Sequence, residues 1–218
     1  MSMTNTADVT CPNCSLTFPI RYFQTACVTL HPQLRQQVLE GSLFRHKCDG
    51  CQQFIFVSSD LLYHDVNLRF MVYLVHEDEM RPPEFNTQTL DLCSGLLNQY
   101  QFRFVTSYDD LVEKITILEN GWNDTIIEKL KLLVVGKIYK FGTDEFVSCA
   151  ARISRKRLST PLEQQIPLDI YFQDRLLAES GIPLEMYVKL AQRQEEKSGE
   201  SNGAGEWKIV NRATILQI

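Results

Sequence analysis

The sequence predicts an α+β protein, with zinc-ribbon-like β-hairpins near the N-terminus that are inserted into or packed on a mixed α/β core. Two Cys-x-x-Cys pairs, at residues 11–14 and 48–51, are each flanked by strand-like sequence. Strand patterns and helical periodicities then alternate along the rest of the chain. The 218 residues, 44% of them hydrophobic, suffice for a buried core in one large domain or two small ones.

The composition of the chain argues against a membrane-spanning or secreted protein. The chain carries 27 acidic and 22 basic residues, which gives a formal net charge of −5. Its longest apolar runs, such as residues 54–57, are far shorter than the roughly 20 residues that span a bilayer. Residues 1–8 contain neither a basic cluster nor an apolar segment, so they do not predict a signal peptide. We therefore expect a soluble cytoplasmic protein with no membrane partner.

The predicted ribbon spans residues 8–58. Alternating apolar residues at positions 16, 18, 20 and 22 follow the first cysteine pair and are typical of a half-buried strand. The second pair stands between residues 43–47 and the apolar run 54–57. Each pair is therefore expected at the tip of a turn between two strands.

The paired cysteines predict one metal ion, because two Cys-x-x-Cys turns let four thiolates converge on a tetrahedral site. The predicted ligands are Cys11, Cys14, Cys48 and Cys51, and the predicted ion is a structural Zn²⁺. Four thiolates leave no open position for water or substrate, so catalytic zinc is the least favoured interpretation. An iron–sulfur cluster also accepts four cysteines, and a redox pair or a site without metal is a further alternative.

The other three cysteines, Cys27, Cys93 and Cys149, stand alone in apolar surroundings. A lone cysteine usually behaves as a small buried hydrophobe, and we expect that role for each of them. The odd total of seven cysteines also argues against a complete disulfide framework.

The 33 residues between the two pairs exceed the usual spacing of about 15–20 residues. A short helix within residues 31–41 accounts for the insert, with Pro32 at its first position and Gly41 as its C-terminal stop. Many zinc-binding turns carry a glycine just after the second cysteine, where this chain has Ser15 and Gln52. We expect Gly50 to relieve strain in the second turn.

Residues beyond the ribbon predict two strands. Residues 68–75 are apolar on both faces, as in a central strand, and residues 102–105 form the second strand. The charged residues 76–83 end in two prolines and predict a loop. Residues 90–97 predict a helical turn.

Two helices follow. Ser107 resembles an N-cap with an acidic third position, and Gly121 ends the first helix. Asn123 caps the second helix, whose apolar residues between 126 and 134 share one face.

The last 80 residues predict strands, a helix and a loop. Residues 146–150 and 168–172 are the strand candidates, and Pro183 opens a helix. Residues 195–206 have no apolar anchor and predict a mobile loop. Trp207 then begins a segment that we expect to dock on the core.

Several motifs together resemble the CpXC domain family of bacteria. They are the Cys-Pro-x-Cys near the N-terminus, a short helix ending Val38-Leu39-Glu40-Gly41, the second Cys-x-x-Cys, and later blocks at residues 61–65, 103–105, 111–115 and 124–128. The similarity runs from about Val9 to Lys131. It implies a bacterial origin and a metal bound by the four cysteines, but it implies no reaction.

We accordingly expect two domains. Residues 1–135 would form the CpXC-like metal-binding α+β domain. Residues 136–218 would form a C-terminal α+β extension that packs on it.

Tyr63, His64 and Asp65 place a phenol, a base and a carboxylate side by side, and an enzyme could use such a cluster. Adjacent residues of a strand point to opposite faces, so His64 and Asp65 would need a turn to form a relay. Structural hydrogen bonds are the alternative explanation. We therefore assign no catalytic residue.

A basic segment could contact phosphates or a partner, and it contains Arg152, Arg155, Lys156 and Arg157. The alternative is a solvated loop edge that balances nearby acidic groups. The ribbon itself lacks the basic surplus of nucleic-acid-binding modules, because residues 1–60 contain four basic and four acidic residues.

The sequence thus favours a metal-stabilised binding or adaptor protein with a protein partner. One alternative is a hydrolase or transferase whose site lies near Tyr63, His64 and Asp65. A second alternative is a nucleic-acid-binding zinc-ribbon protein. The sequence carries no signature of the substrate, the partner or the oligomeric state.

Overall fold

The computed structural model describes residues 2–75, 81, 96–158, 164–197 and 205–216. The protein is α+β, as predicted. The chain divides into two compact units, Met1–Val112 with Gly203–Lys208 and Glu113–Asn202 with Ile209–Ile218. Among the described residues, no helix is both long and apolar enough to cross a membrane.

The strands of the described residues follow in chain order. They are β1 (Met3–Thr10), β2 (Thr17–Cys27), β3 (Arg45–Lys47), β4 (Phe54–Phe56), β5 (Leu61–Asp65), β6 (Phe70–Leu74), β7 (Gln101–Val105), β8 (Cys149–Ile153), β9 (Gln165–Phe172), β10 (Arg175–Pro183) and β11 (Trp207–Lys208).

The described helices also follow in chain order. They are α1 (Gln33–Leu39), α2 (Tyr108–Glu119), α3 (Asp124–Ile138), α4 (Asp144–Ser148), α5 (Arg155–Leu158), α6 (Leu184–Lys197) and α7 (Arg212–Leu216). Two short 3₁₀ segments, Ser42–Phe44 and Leu97–Gln99, complete the described helical structure.

The first unit contains a six-stranded mixed sheet in the order β1-β2-β5-β6-β7-β11 and the separate hairpin β3-β4. Strands β1 and β2 are antiparallel, β2 and β5 parallel, β5 and β6 antiparallel, and β7 parallel to both of its neighbours. The predicted central strand is confirmed, because β6 lies inside the sheet with four of its five residues buried. It begins at Phe70 rather than Leu68, since Arg69 adopts a left-handed φ of 56° in the preceding turn.

The predicted docking of the C-terminal segment is confirmed for Trp207. This residue lies in β11, which pairs with β7. Its ring centroid is 4.7 Å from that of Phe104 and 5.1 Å from that of Phe102. Two predictions concern residues that lie almost entirely outside the described ranges: the loop over residues 76–83 and the helical turn over residues 90–97. Cys93 also lies outside them.

The second unit contains the antiparallel sheet β10-β9-β8. Its core is mainly aliphatic and includes residues of α3, β8 and β9, with Ile127, Leu130, Leu168 and Ile170 almost fully buried. Strand β10 has no counterpart in the sequence prediction, because its first five residues are exposed and carry no alternating pattern.

The predicted strand over residues 146–150 is wrong in its first half. Phe146 to Ser148 belong to helix α4, because the Thr143 hydroxyl accepts a hydrogen bond from the Phe146 amide and caps the helix. Strand β8 begins only at Cys149. Helix α6 begins directly after Pro183, as predicted, and runs to Lys197.

The predicted helix caps in the middle of the chain are confirmed. The Ser107 hydroxyl accepts from the Asp110 amide at 3.1 Å, and the Asn123 side-chain oxygen accepts from the Ile126 amide at 3.2 Å. Gly121 follows the end of α2 with a φ of 68°. The predicted domains, residues 1–135 and 136–218, stay a prediction, as does a mobile loop over residues 195–206, of which 198–204 lie outside the described residues.

Candidate metal centre

Each cysteine pair lies in the turn of a hairpin. Cys11 and Cys14 connect β1 to β2, and Cys48 and Cys51 connect β3 to β4. The 3₁₀ segment Ser42–Phe44 leads into β3, and α1 occupies the insert between the hairpins. The strand patterns around the pairs therefore predicted the position of both turns.

The two turns have the same backbone hydrogen bonds. In the first, the Ser15 amide donates to Cys11 O at 2.9 Å and the Cys11 amide donates to Leu16 O at 2.9 Å. In the second, the Gln52 amide donates to Cys48 O at 3.0 Å and the Cys48 amide donates to Gln53 O at 2.9 Å. Each turn therefore presents its two sulfurs in the same way.

The four sulfurs converge. Cys11 Sγ lies 3.7 Å from Cys51 Sγ, Cys14 Sγ lies 3.6 Å from Cys48 Sγ, and all four sulfurs lie within 4.8 Å of one another. A disulfide would hold its sulfurs about 2.05 Å apart. A tetrahedral ion with Zn–S bonds of about 2.3 Å separates its ligand sulfurs by about 3.8 Å. The two shortest Sγ–Sγ distances therefore match the sulfur–sulfur separation around a tetrahedral ion. The four cysteines could hold a metal ion.

The residues after each second cysteine adopt a glycine-like conformation. Ser15 and Gln52 both have a φ of 60°, in the left-handed region that costs a residue with a Cβ roughly 1–2 kcal/mol. This conformation turns the chain so that the carbonyl of the next residue, Leu16 or Gln53, accepts a hydrogen bond from the amide of the first cysteine. Both turns therefore have the left-handed backbone conformation that usually requires glycine, although the residues are Ser15 and Gln52.

Gly50 serves a different purpose from the one predicted. Its φ is not positive, so it does not relieve backbone strain. A Cβ added to Gly50 would lie 2.9 Å from Leu16 Cδ2 and 3.3 Å from Cys14 Sγ. Gly50 is therefore needed because the first turn approaches the second turn closely.

A small core supports the two turns. Cys11 and Cys48 are buried and pack with Phe18, Ile20 and Ile55, whereas Cys14 is exposed and Cys51 half-buried. The second hairpin is further held by aromatic contacts: the Phe56 ring is 5.5 Å from Phe44 and 5.4 Å from Tyr108. The four sulfurs are therefore carried on packed hairpins.

The thiols influence one another's ionisation. Burial raises the pKa of Cys11, but hydrogen bonds from the Asn13 and Cys14 backbone and from the other thiols lower it, to about 7 overall. The Leu16 backbone lowers the pKa of Cys14, but burial and the neighbouring thiols raise it to about 11. The Cys11 thiol therefore ionises more readily than an ordinary cysteine, whereas the Cys14 thiol ionises less readily. A cation among the sulfurs would favour the thiolate form of all four.

Tyr63, His64 and Asp65 lie on β5, and the structure gives each a separate environment. The buried Tyr63 ring stacks on Phe70 at 5.8 Å, whereas His64 Nε2 lies 3.3 Å from the Tyr100 hydroxyl. Burial lowers the pKa of His64 to about 4, so its ring is neutral at pH 7.

Asp65 closes the turn after β5. It accepts a hydrogen bond from the Leu68 amide at 3.0 Å and one from the Thr29 hydroxyl at 3.5 Å. These contacts are structural hydrogen bonds, and the structure does not bring the three side chains together around one point.

The basic segment is partly engaged in ion pairs. Arg157 lies 2.8 Å from Asp169 Oδ1 and 3.7 Å from Glu179 Oε2, and Arg152 lies 3.8 Å from Glu113 Oε2. Arg155 and Lys156 are exposed at the start of α5. The segment is therefore not one continuous basic surface.

The second unit contains a network of buried charges that was not predicted from the sequence. Lys131 Nζ binds Glu113 Oε2 at 2.9 Å and Glu128 Oε1 at 3.0 Å, and Lys114 Nζ binds Asp124 Oδ2 at 3.1 Å. All five side chains are less than one-tenth exposed. The one signal in the sequence was that residues 111–115 and 124–128, two of the family-like blocks, contain four of these five residues.

Comparison with known proteins places most of the first unit within one protein family. The profile of the CpXC protein family matches residues 9–131, which is more than half of the chain and includes all four clustered cysteines. The chain has no match among curated proteins or solved structures. It belongs to the CpXC protein family.

Proposed function

We propose that this CpXC protein is a binding or adaptor module whose two N-terminal hairpin turns are joined by one structural Zn²⁺. The proposed ligands are Cys11, Cys14, Cys48 and Cys51. The observation that carries the proposal is the convergence of their sulfurs, with the nearest pairs at 3.6 and 3.7 Å.

Zinc is the ion that this donor set favours. Four thiolates form a soft, tetrahedral site, which suits Zn²⁺ because the ion needs no redox partner and imposes no geometry of its own. The ion would stabilise the fold rather than act on a substrate, since four sulfurs occupy every position of a tetrahedral ion. When bound, it would neutralise the thiolates and join two segments that lie more than 30 residues apart in sequence.

A binding role fits the remaining candidate residues better than catalysis. His64 is buried beside Tyr100, and Asp65 is used in a turn, so neither offers an accessible base. Two of the four basic residues pair with carboxylates. We therefore place the role of the protein in recognition of a protein partner, in the cytoplasm of a bacterium.

The family match also supports the proposed domain division. It ends at residue 131, close to the proposed boundary between residues 135 and 136. We propose that residues 1–135 form the family module and residues 136–218 a C-terminal α+β extension.

The experiment that tests the proposal measures metal and stability in one sample. Protein purified without chelators is analysed for zinc and iron, and its thermal unfolding is followed with and without a strong chelator. We expect about one zinc per chain and a marked loss of stability on chelation, because binding energy at such a site is also folding energy. Iron in place of zinc would correct the ion, and the absence of both metals would overturn the proposal.

A further inference from the structure

The hairpin of β3 and β4 has an inner and an outer face. Ile55 is 8% exposed and packs with the buried Cys11 and Cys48, so this residue marks the inner face. Successive residues of a strand point to opposite faces. Phe54 and Phe56, on either side of Ile55, therefore lie on the outer face, where they are 69% and 49% exposed.

Two basic residues complete the outer face. Arg45 lies opposite Phe56 and Lys47 lies opposite Phe54 in the antiparallel ladder, and both basic residues are exposed. From the start of β3 to the end of β4 the chain contains one acidic residue, Asp49 in the turn. The hairpin therefore has more basic than acidic side chains, although the whole chain is acidic.

Each basic side chain starts close to an aromatic ring. The Cys48 amide donates to Gln53 O at 2.9 Å, which makes these two residues a hydrogen-bonded pair. The two types of pair alternate along an antiparallel ladder, so Lys47 and Phe54 form a non-hydrogen-bonded pair with Cα atoms about 4.5 Å apart. The other pair of the outer face lies two residues further along and is of the same type. The outer face thus has a row of cations on β3 and a row of rings on β4, each with a spacing of about 6.7 Å.

The Phe56 ring is held in place by two neighbouring rings of the same unit. Its centroid lies 5.5 Å from that of Phe44 in a stacked contact and 5.4 Å from that of Tyr108 in an edge contact. Phe44 is 2% exposed, so this small cluster is anchored in the interior. A ring that is fixed before binding loses little side-chain entropy when a ligand stacks on it.

We propose that the outer face of this hairpin binds single-stranded nucleic acid, with bases stacked on Phe54 and Phe56 and phosphates beside Arg45 and Lys47. Because a cation and a ring lie side by side at each position of the face, each repeat of the bound chain must offer an anion and a flat ring. A nucleotide carries both groups, whereas one amino-acid residue carries only one of them. Aromatic side chains beside basic groups bind single strands with little sequence preference.

The inference goes beyond the proposed function, because it adds a nucleic-acid ligand to a module proposed to bind a protein. It does not depend on which metal the cysteines hold. The ribbon as a whole has no basic surplus, so the cations that contact phosphate are confined to this face. Two phosphate contacts give weak binding with a modest dependence on salt.

The test is an NMR titration of the isotopically labelled full chain, as purified with its metal. The ligands are an oligothymidylate and an oligouridylate of about eight nucleotides, and the control is a deoxyribose-phosphate strand of the same length without bases. We expect both oligonucleotides to shift the amide signals of residues 45–47 and 54–56 in a saturable way. The strand without bases should bind about tenfold more weakly or less, because it cannot stack. Equal binding of that strand, or no saturation with either oligonucleotide, would overturn the proposal.

Two matched variants test the stacking. Phe54→Leu keeps an apolar side chain but removes the flat ring, and we expect it to weaken oligonucleotide binding about fivefold or more. Phe141→Leu makes the same change at a residue of the second unit that is 52% exposed, and we expect it to leave binding unchanged. Equal affinities of the two variants would overturn the assignment of the bases to this face.

The salt dependence of binding counts the phosphate contacts. Two contacts predict a slope of about −1.4 for the logarithm of the binding constant against that of the salt concentration, from about −0.7 for each phosphate of a single strand. Lys47→Gln should reduce the slope to about −0.7, whereas Lys129→Gln, the same change at an exposed residue of α3, should leave it at about −1.4. A slope that Lys47→Gln leaves unchanged would overturn the assignment of the phosphates. If Lys47→Gln loses metal because Lys47 precedes Cys48, Arg45→Gln tests the same slope.

The same samples separate this inference from the proposed function. Zinc content and thermal unfolding are measured for each variant, so that loss of metal and loss of nucleic-acid binding are distinguished. A peptide of alternating glutamate and leucine tests the other class of ligand. If it saturates the same signals with higher affinity than the oligonucleotides, the face binds an acidic protein segment and the proposal is overturned. The tighter of the two oligonucleotides identifies the strand as DNA or RNA.

Discussion

Cys11 Sγ lies 3.7 Å from Cys51 Sγ, and these two residues belong to different hairpin turns. The other short sulfur contact, between Cys14 and Cys48, also crosses from one turn to the other. An ion bound among the four sulfurs would therefore close a loop of more than 30 residues that contains helix α1. A cross-link over a loop of this length contributes roughly 3–4 kcal/mol.

The first prediction concerns Cys14→Ser. Cys14 is exposed, so an ordinary substitution there would change the free energy of unfolding by less than about 0.5 kcal/mol. If Cys14 is a zinc ligand, we expect a loss of roughly 3 kcal/mol or more and loss of zinc, because a hydroxyl replaces a thiolate poorly. Chemical denaturation and elemental analysis measure the two quantities.

The control for Cys14→Ser is Cys27→Ser. Cys27 is 1% exposed and lies at the end of β2. If burial determines the loss in unfolding free energy, Cys27→Ser should lose more than Cys14→Ser. If metal binding determines it, Cys14→Ser should lose more. A Cys14→Ser protein with parental stability and no zinc would show that the site is incidental to folding.

The second prediction concerns the left-handed residues of the turns. Ser15→Gly removes the strain of a Cβ at a φ of 60°, so we expect a gain of up to about 1 kcal/mol in unfolding free energy. Gln52→Gly should gain less, because Gln52 Nε2 also donates to Asp49 O at 2.9 Å. Gln53→Gly is the control, and we expect it to destabilise by about 0.5–1 kcal/mol, since its φ is not positive. Equal effects at Gln52 and Gln53 would contradict the left-handed geometry.

The third prediction separates backbone strain from crowding at two glycines. Gly41 and Gly121 have φ values of 73° and 68°, so alanine is strained at both. A Cβ at Gly41 would also lie 3.0 Å from the Tyr108 hydroxyl, which bonds to Val38 O and Leu39 O, whereas a Cβ at Gly121 meets nothing within 4 Å. We expect Gly41→Ala to cost about 1 kcal/mol more than Gly121→Ala in thermal or chemical unfolding. Equal losses would show that Tyr108 moves aside without cost.

The fourth prediction is a contribution of His64 to acid sensitivity. Burial lowers its pKa from 6.5 to about 4 in the folded protein. The unfolded chain therefore takes up this proton first, so stability is complete above pH 6.5 and falls as the pH drops toward 4. The loss from His64 reaches at most about 3 kcal/mol. We expect His64→Gln to show a smaller difference in unfolding free energy between pH 7 and pH 4.5 than the parent. Parallel losses in the two proteins would exclude this contribution, and release of metal by acid affects both alike.

The fifth prediction concerns the buried charges. Lys131→Met leaves the Glu113 and Glu128 carboxylates without their shared cation, so we expect a loss of about 3–5 kcal/mol. Glu128→Gln should cost much less at pH 7, because burial raises the pKa of Glu128 and a neutral amide avoids a buried charge. Urea denaturation of the two variants measures the difference. A smaller loss of unfolding free energy in Lys131→Met than in Glu128→Gln would show that Lys131 is not needed to neutralise the two carboxylates.

The sequence predicted those features that depend on neighbouring residues. The cysteine pairs, the strands beside them, and the caps Ser107 and Asn123 follow from short-range patterns and were placed correctly. The left-handed Ser15 and Gln52 were recognised only as departures from glycine, because neither residue type favours that conformation. Their geometry is imposed by the turn as a whole.

Features that depend on distant residues were not predictable. Periodicity marks only the apolar face of a helix, so it gave no sign that the charged Glu113 and Lys131 lie buried. Strand β10 begins with adjacent leucines at residues 176 and 177, and adjacent apolar residues do not show the alternation of a strand.

The position of β11 has a consequence for the order in which the chain can fold during synthesis. Five strands of the six-stranded sheet, β1, β2, β5, β6 and β7, are complete when residue 105 has been made, but β11 follows only after about one hundred further residues. Until Trp207 leaves the ribosome, Phe102 and Phe104 lack the Trp207 ring that contacts them in the folded protein, and β7 lacks its pairing with β11. At translation rates of about 5–20 residues per second, the β7 edge of the nascent chain therefore stays without its β11 partner for several seconds and can associate with other chains during that time.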